Sequence, residues 1–109
     1  MFARNVSFRL KSGRSAEFTK VFDKDVLPLL RKQRGFQDEI SLVAPGGEDA
    51  IGISLWDTKE NAETYARDSY SGVLKTLQPL IQGEPLVQTY DVSSSTFHKI
   101  GKVAGHVTA

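Results

Sequence analysis

Asn5, Trp56, Tyr65 and Tyr70 combine a hydrogen-bonding group with a place in a patterned segment of the chain. Asn5 lies within an alternating stretch, where a buried amide needs partners. Trp56, the only tryptophan, closes a second such stretch. Tyr65 and Tyr70 fall on one helical stripe. Each has a structural reading: a satisfied amide, a large core or interface aromatic, a pair of core tyrosines. Each also has a functional one, as the donors and walls of a cleft between helix and sheet. Phe22, on the apolar stripe of an earlier helix, joins Trp56 and Tyr70 as a candidate wall. Tyr65 can donate a proton or hydrogen bond, but with an ordinary pKa of about 10 it is a poor base at neutral pH. Arg4 and Arg9 read as solvated charges of an edge strand.

Other chemistries fall away. Cysteine is absent, so disulfides, thiolate metal sites, iron–sulfur clusters and a cysteine nucleophile are excluded together. Both histidines, His98 and His106, lie near the C-terminal end, which disfavours a His-based metal site or triad in the folded core. Pro45-Gly46-Gly47 joins two strands and does not precede a helix, so it does not cradle phosphate. Fourteen Lys and Arg against thirteen Asp and Glu give a formal charge of +1, too balanced for a nucleic-acid or anionic-membrane binder. No apolar segment follows Met1 and no run approaches the ~20 apolar residues of a membrane span. The expectation is a cytoplasmic protein without metal.

These residues need a scaffold, and 109 residues supply one domain. Phe2–Leu10 alternates with period two, as a strand does. Ser15 is placed to cap a helix whose apolar positions run Phe18, Val21, Phe22, Val26, Leu29 and Leu30. Pro28 has no amide for the carbonyl of Lys24, which predicts a kink there. Gly35 ends the helix. Strands follow at 37–44 and 50–56, and a second helix opens at Asp57 or Thr58, Asp57 with Glu60 forming a capping-box pattern. Gly72 is expected to split that helix, and 85–92 forms the fourth strand. The order βαββαβ is that of a ferredoxin-like α+β domain with an antiparallel sheet and helices on one face. The domain is placed at 1–93, with 94–109 a tail or an arm packing on a partner through Phe97, Ile100 and Val103. Strand three carries Ile51, Ile53 and Leu55 on one side and Gly52, Ser54 and Trp56 on the other. Apolar side chains on both sheet faces predict that a second copy covers the uncovered one.

The Lys11-x-Gly13 turn, the Gly35-Phe36 step and the run Trp56-Asp57-Thr58-Lys59-Glu60-x-Ala62 together resemble the antibiotic biosynthesis monooxygenase (ABM) domain, from Phe2 to about Val92. The resemblance implies a dimeric α+β barrel and cofactor-independent oxygenation of electron-rich aromatics such as quinols, phenols and anthrones. Such an enzyme needs a dry pocket, a group that helps deprotonate the substrate, and donors that steady the anion. Asn5 matches a strand-one Asn used in several members as such a donor, and Trp56 matches the aromatic ending strand three. Quinol-oxidising members often carry a His where this chain has Tyr65. The haem-degrading branch has a Trp there and a ligating His where this chain has Lys75, so no haem is expected. The sequence reading is thus a homodimeric, cofactor-free oxygenase of a small aromatic, with Asn5 and Tyr65 facing one pocket. The alternative is a non-catalytic dimeric module that binds a small apolar ligand or serves a stress or regulatory role.

Overall fold

The structure, a computed structural model, describes residues 1–98. Its elements run β1 (Phe2–Leu10), α1 (Ser15–Val21), a π-helical turn (Phe22–Val26), α2 (Leu27–Arg31), β2 (Phe36–Val43), β3 (Asp49–Trp56), α3 (Lys59–Asp68), α4 (Tyr70–Leu77), a 3-10 turn (Gln78–Leu80) and β4 (Ile81–Asp91). The sheet is antiparallel throughout, in the order β2-β3-β1-β4. This is the ferredoxin-like α+β fold that the element order predicts. Ile100 and Val103 of the expected arm lie outside the described residues, and Phe97 is exposed. Among the described residues no helix is long and apolar enough to cross a membrane.

The helices cover one sheet face. Phe2, Leu10, Ala50 and Trp56 from that face meet Phe18, Val26, Leu30, Tyr65 and Leu77 in the core. Pro28 acts as its chemistry requires. The chain takes a π turn just before it, and the Leu27 amide bonds the Phe22 carbonyl five residues back. The extra residue in that turn absorbs the bond that proline cannot make.

Three local expectations need correction. Ser15 is the first residue of α1 and makes no capping bond; Arg14 precedes it and pairs with Glu17. The second helix breaks at Ser69, not Gly72, because Ser69 leaves helical geometry (φ −128°) while its hydroxyl donates to Gln33 Oε1 across the helix pair. Strand β4 starts at Ile81, ahead of Pro85, and its ladder with β1 carries a bulge near Phe8. At the start of α3, Thr58 is the cap, its hydroxyl accepting the Asn61 amide at 3.1 Å, while Asp57 takes the Asn61 side chain at 2.9 Å.

Gly35 locks this corner. It has φ +82°, and its carbonyl accepts the Asp57 amide at 2.9 Å. A Cβ there would lie 2.2 Å from Asp57 Oδ1 and 2.7 Å from Asn61 Cβ. Gly13 has a similar φ of +74° with nothing within 4 Å. Gly13→Ala should therefore lose only the backbone term, about 1 kcal/mol, whereas Gly35→Ala adds overpacking and should lose about 3 kcal/mol. Thermal denaturation checks the contrast: equal losses would mean that the chain does not close this tightly around Gly35.

Candidate active-site cleft

Antiparallel register decides which side chains face the helices. Position by position, Arg4 pairs with Ser54 on one side and Thr89 on the other, and Ser54 pairs with Glu39. Directly opposed residues share a face. Glu39, Ser54, Arg4 and Thr89 therefore form one polar row across the sheet, under the helices. The next row is Ser41, Gly52, Val6 and Val87. At Gly52 the floor has no side chain, and a Cβ there would meet Glu39 Oε2 at 3.4 Å. The Glu39 carboxylate thus leans over the gap left by glycine.

Between this floor and the helices lies a cleft with about 530 Å³ of empty space, its mouth included. Its walls are chiefly apolar: Val6 and Phe8 from β1, Phe22 and Val26 from the π turn, and Val73 and Leu77 from α4. Arg4, Glu39, Ser54, Tyr65 and Tyr70 bring the polar atoms. Phe22 and Val26, the two ends of the π turn, both line the cleft.

The tyrosines and Arg4 form a stack. Tyr65 lies against the fully buried Trp56 with ring centroids 4.9 Å apart, and Tyr70 follows at 6.2 Å. The Arg4 guanidinium sits 4.6 Å from the Tyr70 centroid and 5.5 Å from that of Tyr65. Arg4 is only 5% exposed, and its Nε and Nη2 are buried without a hydrogen-bond partner, as is the Tyr70 hydroxyl. Trp56 spends its indole N–H on Ser54 Oγ at 2.9 Å.

Electrostatics separate the roles. Burial pushes the Tyr65 phenol up to about 12, with Arg4 pulling the other way. Tyr65 therefore stays protonated at neutral pH and can donate a hydrogen bond. Burial also raises the Glu39 carboxyl, to about 7, against the Ser41 hydroxyl that bonds its oxygens at 3.0 and 3.3 Å and lowers it. A carboxyl at that value is half-ionised near neutral pH, the range suited to a general base. Burial lowers Arg4, which remains a cation because guanidinium does not deprotonate in proteins.

The structure brings Tyr65, Tyr70 and Phe22 to the cleft and leaves Asn5 and Trp56 out of it. Asn5 pairs with Ile53 and Gln88 on the opposite sheet face, where its Oδ1 accepts the Ser7 hydroxyl at 3.3 Å. The expectation that Asn5 and Tyr65 share a pocket is corrected: they lie on opposite sides of the sheet. Trp56 is not a wall but the backing on which Tyr65 stacks. Arg4 is the reverse case, a charge read as solvated that is buried in the floor. Its signal was its parity, since it alternates in step with Phe2, Val6, Phe8 and Leu10. Glu39 had no comparable signal, because only the register with Ser54 turns it inward. Among the described residues no group of three or more His, Cys, Asp or Glu is arranged to hold a metal.

No family model and no curated protein matches the sequence. Solved structures do match the fold. A Bordetella bronchiseptica protein provisionally assigned as an antibiotic biosynthesis monooxygenase superposes with a TM-score of 0.73 at 18% identity, covering 84% of this chain and 95% of that one. The ActVA-Orf6 monooxygenase of Streptomyces coelicolor, in complex with nanaomycin D, gives 0.72 at 15% identity over 96% of this chain and 92% of its own. SnoaB, a cofactor-independent oxygenase from Streptomyces nogalater, gives 0.69 at 16% identity over 87% and 95%. The chain therefore has the fold seen in antibiotic biosynthesis monooxygenases.

Proposed function

We propose that this protein is a cofactor-independent monooxygenase of small electron-rich aromatics, working as a homodimer. The observation that supports it most is the pairing of Glu39 with Arg4 and Tyr65 in one row and wall of an otherwise apolar cleft. The fold shared with cofactor-independent oxygenases points the same way.

Glu39 takes a proton from a phenol or an acidic ring carbon, and the resulting anion is electron-rich enough to reduce dioxygen directly. The protonated Tyr65 stabilises the negative charge from the wall, in a cleft where apolar side chains keep the effective dielectric low. Oxygen adds to the ring carbon as a peroxide. One oxygen atom stays as a ring carbonyl; the other leaves as water with the two hydrogens lost by the substrate. Glu39 ends the cycle by returning its proton to that water.

Oxygen uptake with quinols, naphthols and anthrones of varied ring substitution tests the reading. Glu39 is raised, so it is protonated and inactive well below pH 7, and kcat/KM should climb through about pH 7 to a plateau. Glu39→Gln should remove that limb and lose on the order of 100-fold in rate. Tyr65→Phe should lose about tenfold with little change in Tm, since the ring still packs on Trp56. Saturable binding without oxygen uptake would leave a ligand-binding module in place of an enzyme.

The homodimer rests on the uncovered sheet face. Ile40, Leu42, Leu86 and Tyr90 are each 45–60% exposed there, around Ile51, Ile53 and Leu55. Two such faces packed together would bury more than ~1,000 Å², enough for a specific interface. Sedimentation at micromolar concentration should give about twice 12.0 kDa, and Ile53→Lys should shift the protein to the monomer. A monomeric wild type would contradict the assembly.

A further inference from the structure

We propose that the ligand of this cleft carries a carboxylate, gripped side-on by Arg4 Nε and Nη2 with the Tyr70 hydroxyl as a third donor; the aromatic remainder of the ligand rests on the oxygenase reading above. Arg4 is 95% removed from solvent by its 5% exposure, yet its Nε and Nη2 make no hydrogen bond among the described residues. A charged donor left so costs several kcal/mol in desolvation. Stacking on Tyr70 and Tyr65 offsets part of this through the ring faces, but it leaves the N–H groups, which lie in the guanidinium plane, unsatisfied. Tyr70 contributes a buried hydroxyl in the same condition. Three buried donors, on two residues that line the cleft, therefore stand without an acceptor among the described residues.

The geometry narrows the acceptor. Nε–H and Nη2–H lie on one edge of guanidinium and point the same way, the arrangement that accepts both oxygens of a carboxylate at once. A single phenolate or carbonyl oxygen would satisfy one of them. A doubly charged phosphate calls for more than one cation, and among the described residues Arg4 is the only Lys or Arg lining the cleft, with Glu39 opposing further negative charge. The remaining walls are apolar and suit the faces of an aromatic ring. Glu39 and Arg4 stand on strands two apart in the sheet, roughly 10 Å between backbones. A fused ring spans that distance, so a carboxylate on Arg4 places the far end of the ring near Glu39.

The test compares 6-hydroxy-2-naphthoate with 2-naphthol, which share ring and hydroxyl and differ in the carboxylate. Anaerobic titration calorimetry at pH 8 should show the carboxylate binding at least about tenfold more tightly. Arg4→Met removes charge and fork while keeping a long apolar stem, and should bring the ratio to about one. Arg4→Lys keeps a charge without the fork and should lower the preference at least about threefold; it carries the test if Arg4→Met does not fold by circular dichroism. Tyr70→Phe should weaken the carboxylate alone. Equal affinity for the two compounds, binding of neither at millimolar concentration, or a preference that survives loss of the Arg4 fork would overturn the proposal. Because binding is measured without oxygen, carboxylate selectivity without oxygen uptake would sink the oxygenase reading and leave this one intact.

Discussion

The site is organised around one costly fact, a guanidinium held in the core without a carboxylate partner among the described residues. Arg4 would not stay there by hydrophobicity. Its stem runs along β1 beneath the helices, and its head is fixed by Tyr70 and Tyr65, which are in turn fixed by Trp56. Trp56 is held at both ends: its ring is wholly buried between Phe36 and Tyr65, and its N–H is bound to Ser54. That chain of contacts gives the cation one orientation. An exposed arginine in this position would be a mobile point charge, with its effect screened by water. A buried and stacked one presents its donors in a fixed direction, which is what binding or stabilising an anion requires. The stability lost to an unsatisfied buried charge is the usual sign of a position kept for function.

The same division of labour appears in the first helical segment. A regular helix through 15–31 would put proline's missing amide into the middle of its bond ladder. The π turn at 22–26 resolves that conflict and changes the angular position of every later side chain. Phe22, Val26 and Leu30 all line the cleft, while Phe18 stays in the core behind it. Pro28 thus affects the shape of the site without touching it.

Much of this was legible from sequence, and the failures have separate causes. The element order, the strand at 2–10, the kink before Pro28 and the corner at Gly35 all follow from local pattern, and the structure contains them. What local pattern does not contain is register. In β1 the apolar residues Phe2, Val6 and Phe8 face the helices; in β3 the apolar residues Ile51 and Ile53 face away, because Val6 pairs with Gly52 and Asn5 with Ile53. Reading each strand by its own greasier side sends one of them the wrong way. Asn5 was placed in the cleft by its match to a strand-one Asn of the resembled domain, against the parity of its own strand, and Glu39 went unseen. Arg4 was different: its parity was in view, and the general rule that charges stay outside overrode it. The Ser69 break depends on a contact with Gln33, thirty-six residues away, that no window on the sequence reveals.

The two faces of the sheet are also coupled by construction. In β1, Arg4 and Val6 line the cleft while Asn5, between them, points the other way; in β3, Gly52 and Ser54 flank Ile53 in the same manner. Any surface that packs on Asn5 and Ile53 fixes the backbone that aims Arg4 and opens the floor at Gly52. A strand cannot shift on one face without shifting on the other, since successive side chains alternate on a single backbone. A partner seated on the apolar face would therefore restrain the site from below, as Trp56 and the tyrosines restrain it from above.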